Sequence, residues 1–212
     1  MKLYYFPGAC SLATHVVLEW LGAPYETVKL DRDGTKSPEF LKLNPNGAVP
    51  LLVDGDFVLS QNAAILTYLA ASHPNAGLFG DGTTRGRAEV MKWLSLLNSD
   101  VHPAFKPIFA PNRYHPDASQ SKVVADTARR NVREYLERIN GRMKGREWIA
   151  DQRSVADPYL FVMLRWTVKL HIDAKGLDNL ASFFARMLAD PGVRASIVAE
   201  EGSVDANARL VA

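Results

Sequence analysis

The apolar pattern of this chain changes character once. Up to residue 72, short runs with strand character take turns with helical stripes. Beyond HPNAGLFGDGTT at residues 73–84, every apolar stripe is helical. Strand and helix periods bury different faces, so a chain patterned this way is not a single sheet or a single bundle. It predicts a fold of α/β plus all-α class: a small sheet domain followed by a helical bundle.

In the first part, Lys2–Phe6 reads as a strand stopped by Pro7-Gly8. Ser11–Leu21 is helical, with Leu12, Ala13, Val16, Val17, Trp20 and Leu21 on one face and Gly22 as the stop. Tyr25–Leu30 alternates like a half-buried strand, and Ser37 opens a short helix, PEFLKL. Val49–Val53 and Phe57–Leu59 flank Asp54-Gly55, a hairpin signal. Ser60 then stands as N-cap before a helix carrying Ala64, Ile65, Tyr68 and Leu69. In the second part, four apolar stripes run through Val90–Val101, Val124–Ile139, Leu160–Leu170 and Leu180–Leu188. The division follows: 1–76 a sheet domain, 77–84 a linker, 85–212 a helical domain. The last dozen residues are polar or small and are expected to fray.

Composition removes several function classes. The 25 Lys and Arg nearly balance the 23 Asp and Glu, which is no footprint for nucleic acid. Arg129, Arg130, Arg133, Arg138 and Arg142 lie opposite an apolar stripe and alternate with Glu134 and Glu137, the pattern of a solvated helix face. No apolar run approaches the roughly 18 residues of a membrane span. Pro7, Gly8, His15 and Glu19 interrupt the amino-terminal segment, so it reads as mature structure rather than a targeting signal. One cysteine permits no internal disulfide, which fits a reducing, cytoplasmic compartment.

That cysteine, Cys10, stands in PGACS at a predicted helix start. Free backbone N–H groups there favour an anion, and a thiolate is one. The Ser11 hydroxyl could donate to the sulfur. A buried structural thiol is the competing reading. Pro50 suits a strand start in the ordinary trans form. Ser60-Gln61-Asn62 opens a second helix start, read either as plain capping or as an anion site. His102 precedes Pro103 and Pro107, so the helix bends there; it is either a satisfied polar side chain or a site residue. Ser154 and Asp157 form an S-x-x-D capping pair assigned to folding. The remaining histidines show no metal-ligand spacing, and no metal is expected.

The sequence PGACSLA, followed by NPNGAVPLLVDG, LSQNAAILTYLA, WLSLLNSDVHPAFKPIF and SVADPYLF, resembles glutathione transferases, and the bacterial beta class among them. The resemblance covers essentially the whole chain. It implies a thioredoxin-like first domain that binds glutathione as cosubstrate, with no metal or organic cofactor. It implies a helical domain lining a pocket for a small apolar electrophile, and a cytoplasmic homodimer. Cys10 matches the cysteine that forms a mixed disulfide with glutathione, with Tyr5 and Ser11 beside it. Pro50 matches a cis-proline, and Val49 then offers its backbone to glutathione like an added strand. Gln61 and Asn62 match the pair holding the γ-glutamyl end. Lys36, or else Arg32 or Lys29, would meet the glycine carboxylate, and His102 matches the class histidine. The chain departs from the family at Gln61, usually acidic, and at Pro103, usually lysine. It departs also at Ser95, often an asparagine reaching across the dimer, and at Arg153, often apolar. The implied activities are conjugation and thiol–disulfide exchange; the alternative is a binding module of this fold with little catalysis.

Overall fold

The computed structural model describes residues 1–205 and 208–211. The sheet domain runs β1 (Lys2–Tyr5), α1 (Ser11–Leu21), β2 (Glu26–Lys29), α2 (Pro38–Leu43), β3 (Leu51–Asp54), β4 (Phe57–Ser60) and α3 (Asn62–Ser72). The strands lie in the order β2-β1-β3-β4. β1 pairs in parallel with β2, Leu3 opposite Thr27, and antiparallel with β3, Leu3 opposite Leu52. The β3–β4 hairpin pairs Leu52 with Leu59. A parallel pair needs a crossover, and α1 supplies it. Gly22 ends α1 in the left-handed region, at φ 62°, which only glycine adopts without strain. The Val49–Pro50 peptide bond is cis, as the family resemblance implies and against the trans form expected of an ordinary proline.

The helical half contains α4 (Thr84–Leu96), α5 (His102–Phe109), α6 (Ser121–Arg142), α7 (Ala156–Lys169), α8 (Asp178–Ala189) and α9 (Pro191–Glu201). A π-helical turn at Leu97–Val101 joins α4 to α5. Four stripes in the sequence thus become six helices among the described residues. α5 separates from α4 because Pro103 has no N–H for the helical ladder. α9 carries a short apolar face, Val193 and Ile197, too small to register as a stripe. Its start is nevertheless written in Asp190-Pro191: the Asp190 carboxylate accepts from Val193 N–H at 3.0 Å, and proline occupies the first turn.

α1 lies at the junction, packed on α3 on one side and on α7 and α9 on the other. Ser11 through Leu18 are all buried, so α1 has no solvent face over most of its length. The buried polar side chains of α1 itself are paired, as burial demands. His15 Nδ1 lies 3.0 Å from Glu200 Oε1, and Trp20 Nε1 donates to Asp190 Oδ1 at 2.8 Å. The α7 start is the capping pair expected: Ser154 N–H donates to Asp157 Oδ2 at 2.7 Å, and Ala156 N–H donates to Ser154 Oγ at 3.3 Å. Asp157 Oδ1 also accepts from Ile149 N–H at 3.0 Å, binding the preceding loop to the cap. Arg153 stacks over the Trp20 ring at 4.9 Å, so it packs where an apolar residue is common.

Two expectations change. Ser60 is not the N-cap of α3: it ends β4, and Gln61 caps without a side-chain bond, at φ 74°. The terminal dozen does not simply fray. Leu210 is buried in the core and Val204, Ala208 and Val211 pack beside it, while Ala206, Asn207 and Ala212 lie outside the described residues. The α6 arginines are engaged with carboxylates, Arg129 with Asp126, Arg133 with Glu137 and Arg142 with Asp151. Among the described residues no helix is long and apolar enough to cross a membrane.

Candidate active site

The two halves enclose a cleft of about 420 Å³. From the sheet side come Cys10, the loop Asn44–Pro50, Ser60, Gln61 and Asn62. From the helical side come Asn98, His102, Pro103, Lys106 and Tyr159.

The loop is set by Asn44, which is almost wholly buried. Its Nδ2 donates to Ala48 O at 2.7 Å and its Oδ1 accepts from Asn46 N–H at 3.2 Å. This leads the chain into Val49 and the cis Pro50. Cys10 caps α1 from the side of the cleft, and its thiol donates to Val49 O at 3.6 Å. Burial is the dominant influence on that thiol and pushes it up to about 12. The N–H groups of Cys10 and Ser11 and the Lys106 charge pull the other way without overcoming it. The helix start is present, but burial leaves it holding a neutral thiol. Ser11 does not reach the sulfur: its hydroxyl donates to Phe6 O and accepts from Phe6 N–H, both at 3.3 Å.

At the α3 start, Thr14 Oγ1 donates to Asn62 Oδ1 at 2.8 Å. That fixes the carboxamide so that its Nδ2 lies near the Tyr159 hydroxyl, but this buried donor completes no well-formed hydrogen bond. Asn62 is only 4% exposed, so the unpartnered donor is costly and invites an acceptor from the cleft. Gln61 holds a positive φ that a non-glycine residue rarely adopts, and it keeps its side chain exposed at the cleft edge.

His102 follows the π turn, its N–H bonded to Leu97 O five residues back. Its Nδ1 lies 2.7 Å from Tyr159 Oη, and Tyr159 donates to Asn98 Oδ1 at 3.2 Å. The ring sits edge-on to Trp166, centroids 4.9 Å apart. Burial, assisted by the Lys106 charge, lowers His102 to about 4, so the imidazole is neutral at physiological pH. Trp166 also donates from Nε1 to Gly8 O at 2.9 Å, and Gly8 N–H donates to Glu200 Oε2 at 3.4 Å. The loop carrying Cys10 is therefore held from the helical half.

Of the residues singled out in the sequence, Cys10, Val49, Pro50, Gln61, Asn62 and His102 line one cleft. Tyr5 faces the core against His15, with ring centroids 5.9 Å apart, and Ser11 is fully buried. Lys36, in a 3-10 turn at Gly34–Lys36, is exposed and, like Arg32 and Lys29, does not line it. The cation that does is Lys106, one helical turn after His102 and so on the same face. It lies three residues after Pro103, the position at which the family usually carries a lysine. Among the described residues no three His, Cys, Asp or Glu side chains form a metal-holding group.

The family model for the glutathione S-transferase N-terminal domain matches residues 1–71, and that for the C-terminal domain matches residues 100–191. The chain belongs to the glutathione S-transferase family. The transferase is 48% identical to the glutathione S-transferase GST-4.5 of Xanthomonas campestris pv. campestris over 94% of this chain and 98% of that one. A glutathione S-transferase structure from Xylella fastidiosa superimposes with a TM-score of 0.91 at 45% identity, covering 96% of this chain and 99% of that one. A bacterial beta-class transferase from Sphingomonas chungbukensis gives a TM-score of 0.83 at 38% identity, over 95% and 99%. The resemblance drawn from PGACSLA and the segments after it is thus met in family and fold.

Sequence reasoning missed Lys106, Asn98, Tyr159, Asn44 and Asn46 in this transferase. Lys106 carried a usable signal, its spacing of four from His102. Tyr159 lies 57 residues from His102, and no local pattern links the two.

Proposed function

We propose that the cleft binds glutathione and conjugates its thiol to a small apolar electrophile. Carrying this reading is the unpartnered Asn62 amide in the same cleft as Cys10 and His102. A buried donor at a helix start suits a carboxylate, and the γ-glutamyl end of glutathione carries one. Gln61 would meet the neighbouring α-amino group. Val49 N–H is unused in any hydrogen bond of the described residues, so the cysteinyl unit can add to the loop like a strand. The glutathione sulfur then lies between Cys10 and His102. Lys106 favours its thiolate by charge. In conjugation the S–H proton leaves, the sulfur bonds to carbon, and the electrophile's leaving group departs. Phe105, Phe109 and Trp166 form an aromatic cluster next to His102, and half-exposed Phe109 offers an apolar electrophile a surface. The working unit in this reading is a cytoplasmic homodimer, with residues 1–76 and 85–212 as its domains and 77–84 as linker. The half-buried Met91 and Trp93 of α4 support an interface there.

Thiol–disulfide exchange is a second reading, favoured by the Cys10 thiol resting on the Val49 carbonyl. The Cys10 sulfur attacks glutathione disulfide, the mixed disulfide forms, and one glutathione leaves as thiol with the displaced proton. Protein incubated with glutathione disulfide should gain about 305 Da, removable by dithiothreitol. Cys10→Ala should abolish the adduct and retain conjugation, because there the nucleophile belongs to glutathione. Retention on immobilised glutathione without turnover of any aryl halide would instead mark a binding module. No retention and no turnover would overturn the reading.

A further inference from the structure

We propose that Tyr159 and Asn98 hold His102 in its Nδ1–H tautomer, so that Nε2 faces the cleft as the hydrogen-bond acceptor for a thiol. The inference rests on the reading of the cleft as a thiol site. Tyr159 is fully buried, and its hydroxyl has a single proton to give. That oxygen lies between His102 Nδ1, at 2.7 Å, and Asn98 Oδ1, at 3.2 Å. A carboxamide oxygen only accepts, so the Tyr159 proton goes to Asn98. The contact with Nδ1 is then a bond that the imidazole donates. With the proton on Nδ1, the neutral ring carries a lone pair on Nε2. Among the described residues Nε2 makes no hydrogen bond, although His102 lines the cleft.

Three features keep the ring in this pose. The π turn places Asn98 and His102 together on the cleft side. The Tyr159 ring meets the imidazole edge-on at 5.9 Å, and Trp166 meets it at 4.9 Å. Tyr159 and Trp166 are seven residues apart on α7, two turns along one helix face, and the Ser154–Asp157 cap fixes where that helix begins. Burial also pushes the Tyr159 phenol up, so it keeps its proton at any working pH. When a thiol in the cleft ionises, the S–H bond breaks and its electron pair stays on sulfur. The proton rides on Nε2 until the leaving group or water takes it. Nδ1–H remains bonded to Tyr159, which steadies the transient imidazolium. Tyr159 and Asn98 are positioning residues: neither needs to touch the reacting atoms.

The test is imidazole proton–nitrogen NMR at neutral pH on the intact protein, with steady-state kinetics alongside. Wild type should show the Nδ1–H tautomer. Asn98→Leu removes the acceptor, frees the Tyr159 proton for Nδ1 and should convert His102 to the Nε2–H form. Its kcat for conjugation should fall roughly 100-fold, at the lower end of the usual range for a lost proton acceptor, with KM for glutathione changed less than about twofold. Asn98→Asp keeps an acceptor at the same place and should keep the tautomer. An Nε2–H tautomer in wild type, or an Asn98→Leu variant unchanged in tautomer, overturns the inference. The tautomer is read without turnover, so an Nδ1–H wild type lacking transferase activity would support the relay and sink only the proposed reaction.

Discussion

The two walls of the cleft differ in how they are built. The sheet wall consists of backbone and helix starts: the Val49 amide, the Asn62 donor at α3 and the Cys10 thiol at α1. Each is positioned by neighbours close in sequence or by one short tertiary bond, such as Thr14 to Asn62. The helical wall consists of side chains from segments far apart, joined in a chain from His102 through Tyr159 to Asn98. The first wall offers unused donors and suits holding an anionic peptide. The second offers a neutral base and a cation, and suits managing a sulfur proton. The difference also separates two helix starts that look alike. At α3 the start leaves a donor open; at α1 burial outweighs the helix start, and the thiol stays protonated.

The largest expected effect removes the open donor. Asn62→Leu should weaken glutathione binding about 10- to 100-fold by calorimetry, the worth of a hydrogen bond to a charged group. Binding as tight as wild type would break the division between walls. A smaller change sharpens it. Gln61→Glu would give the α-amino group of glutathione a charged partner and should tighten binding by about 0.5–1.5 kcal/mol. It should leave kcat unchanged, because the sheet wall holds and does not move protons; a kcat change without a Kd change would contradict that. A third change concerns α1 and is read in stability rather than in binding. The unfolded Cys10 thiol ionises above its ordinary value of 9.0, while the folded one keeps its proton to about 12. The folded state thus binds more protons in that window, and stability falls as pH rises through it, by at most about 1.4 kcal/mol per pH unit. Urea unfolding of Cys10→Ser should lack this part of the slope. Identical slopes in both proteins would mean that the thiol is not desolvated.

The walls also differ in how far the sequence discloses them. Strand and helix order in the first seventy residues is legible because Pro7-Gly8, Gly22 and Asp54-Gly55 punctuate clear apolar periods. The capping pair Ser154–Asp157 is legible for the same local reason. The family resemblance is what singles out Cys10, Gln61 and Asn62 for a site, and as polar residues at helix starts they are legible. Their charge state is not, since it depends on how much water the assembled cleft excludes. Lys36 is assigned to the glycine carboxylate by the family resemblance alone; the 3-10 turn at Gly34–Lys36 leaves it exposed and outside the cleft lining. Tyr159 and Asn98 escape because their partner is His102, brought near only when α7 packs beside the π turn. That turn itself had a trace in Pro103, read as a bend rather than as a five-residue hydrogen-bond spacing.

On the reading proposed above, one wall holds glutathione and the other eases its thiol proton away, with Lys106 supplying the charge that favours the thiolate. It is tested most directly by a pH titration of the thiolate ultraviolet absorbance of bound glutathione, in wild type and in Lys106→Met. The bound thiol should titrate below the ordinary thiol value of about 8.5 in wild type. In Lys106→Met the midpoint should move back up by roughly one pH unit, because a nearby cation favours the thiolate and the neutral His102 lone pair does not. A bound thiol that titrates as in free solution, or a midpoint indifferent to Lys106, would contradict this reading.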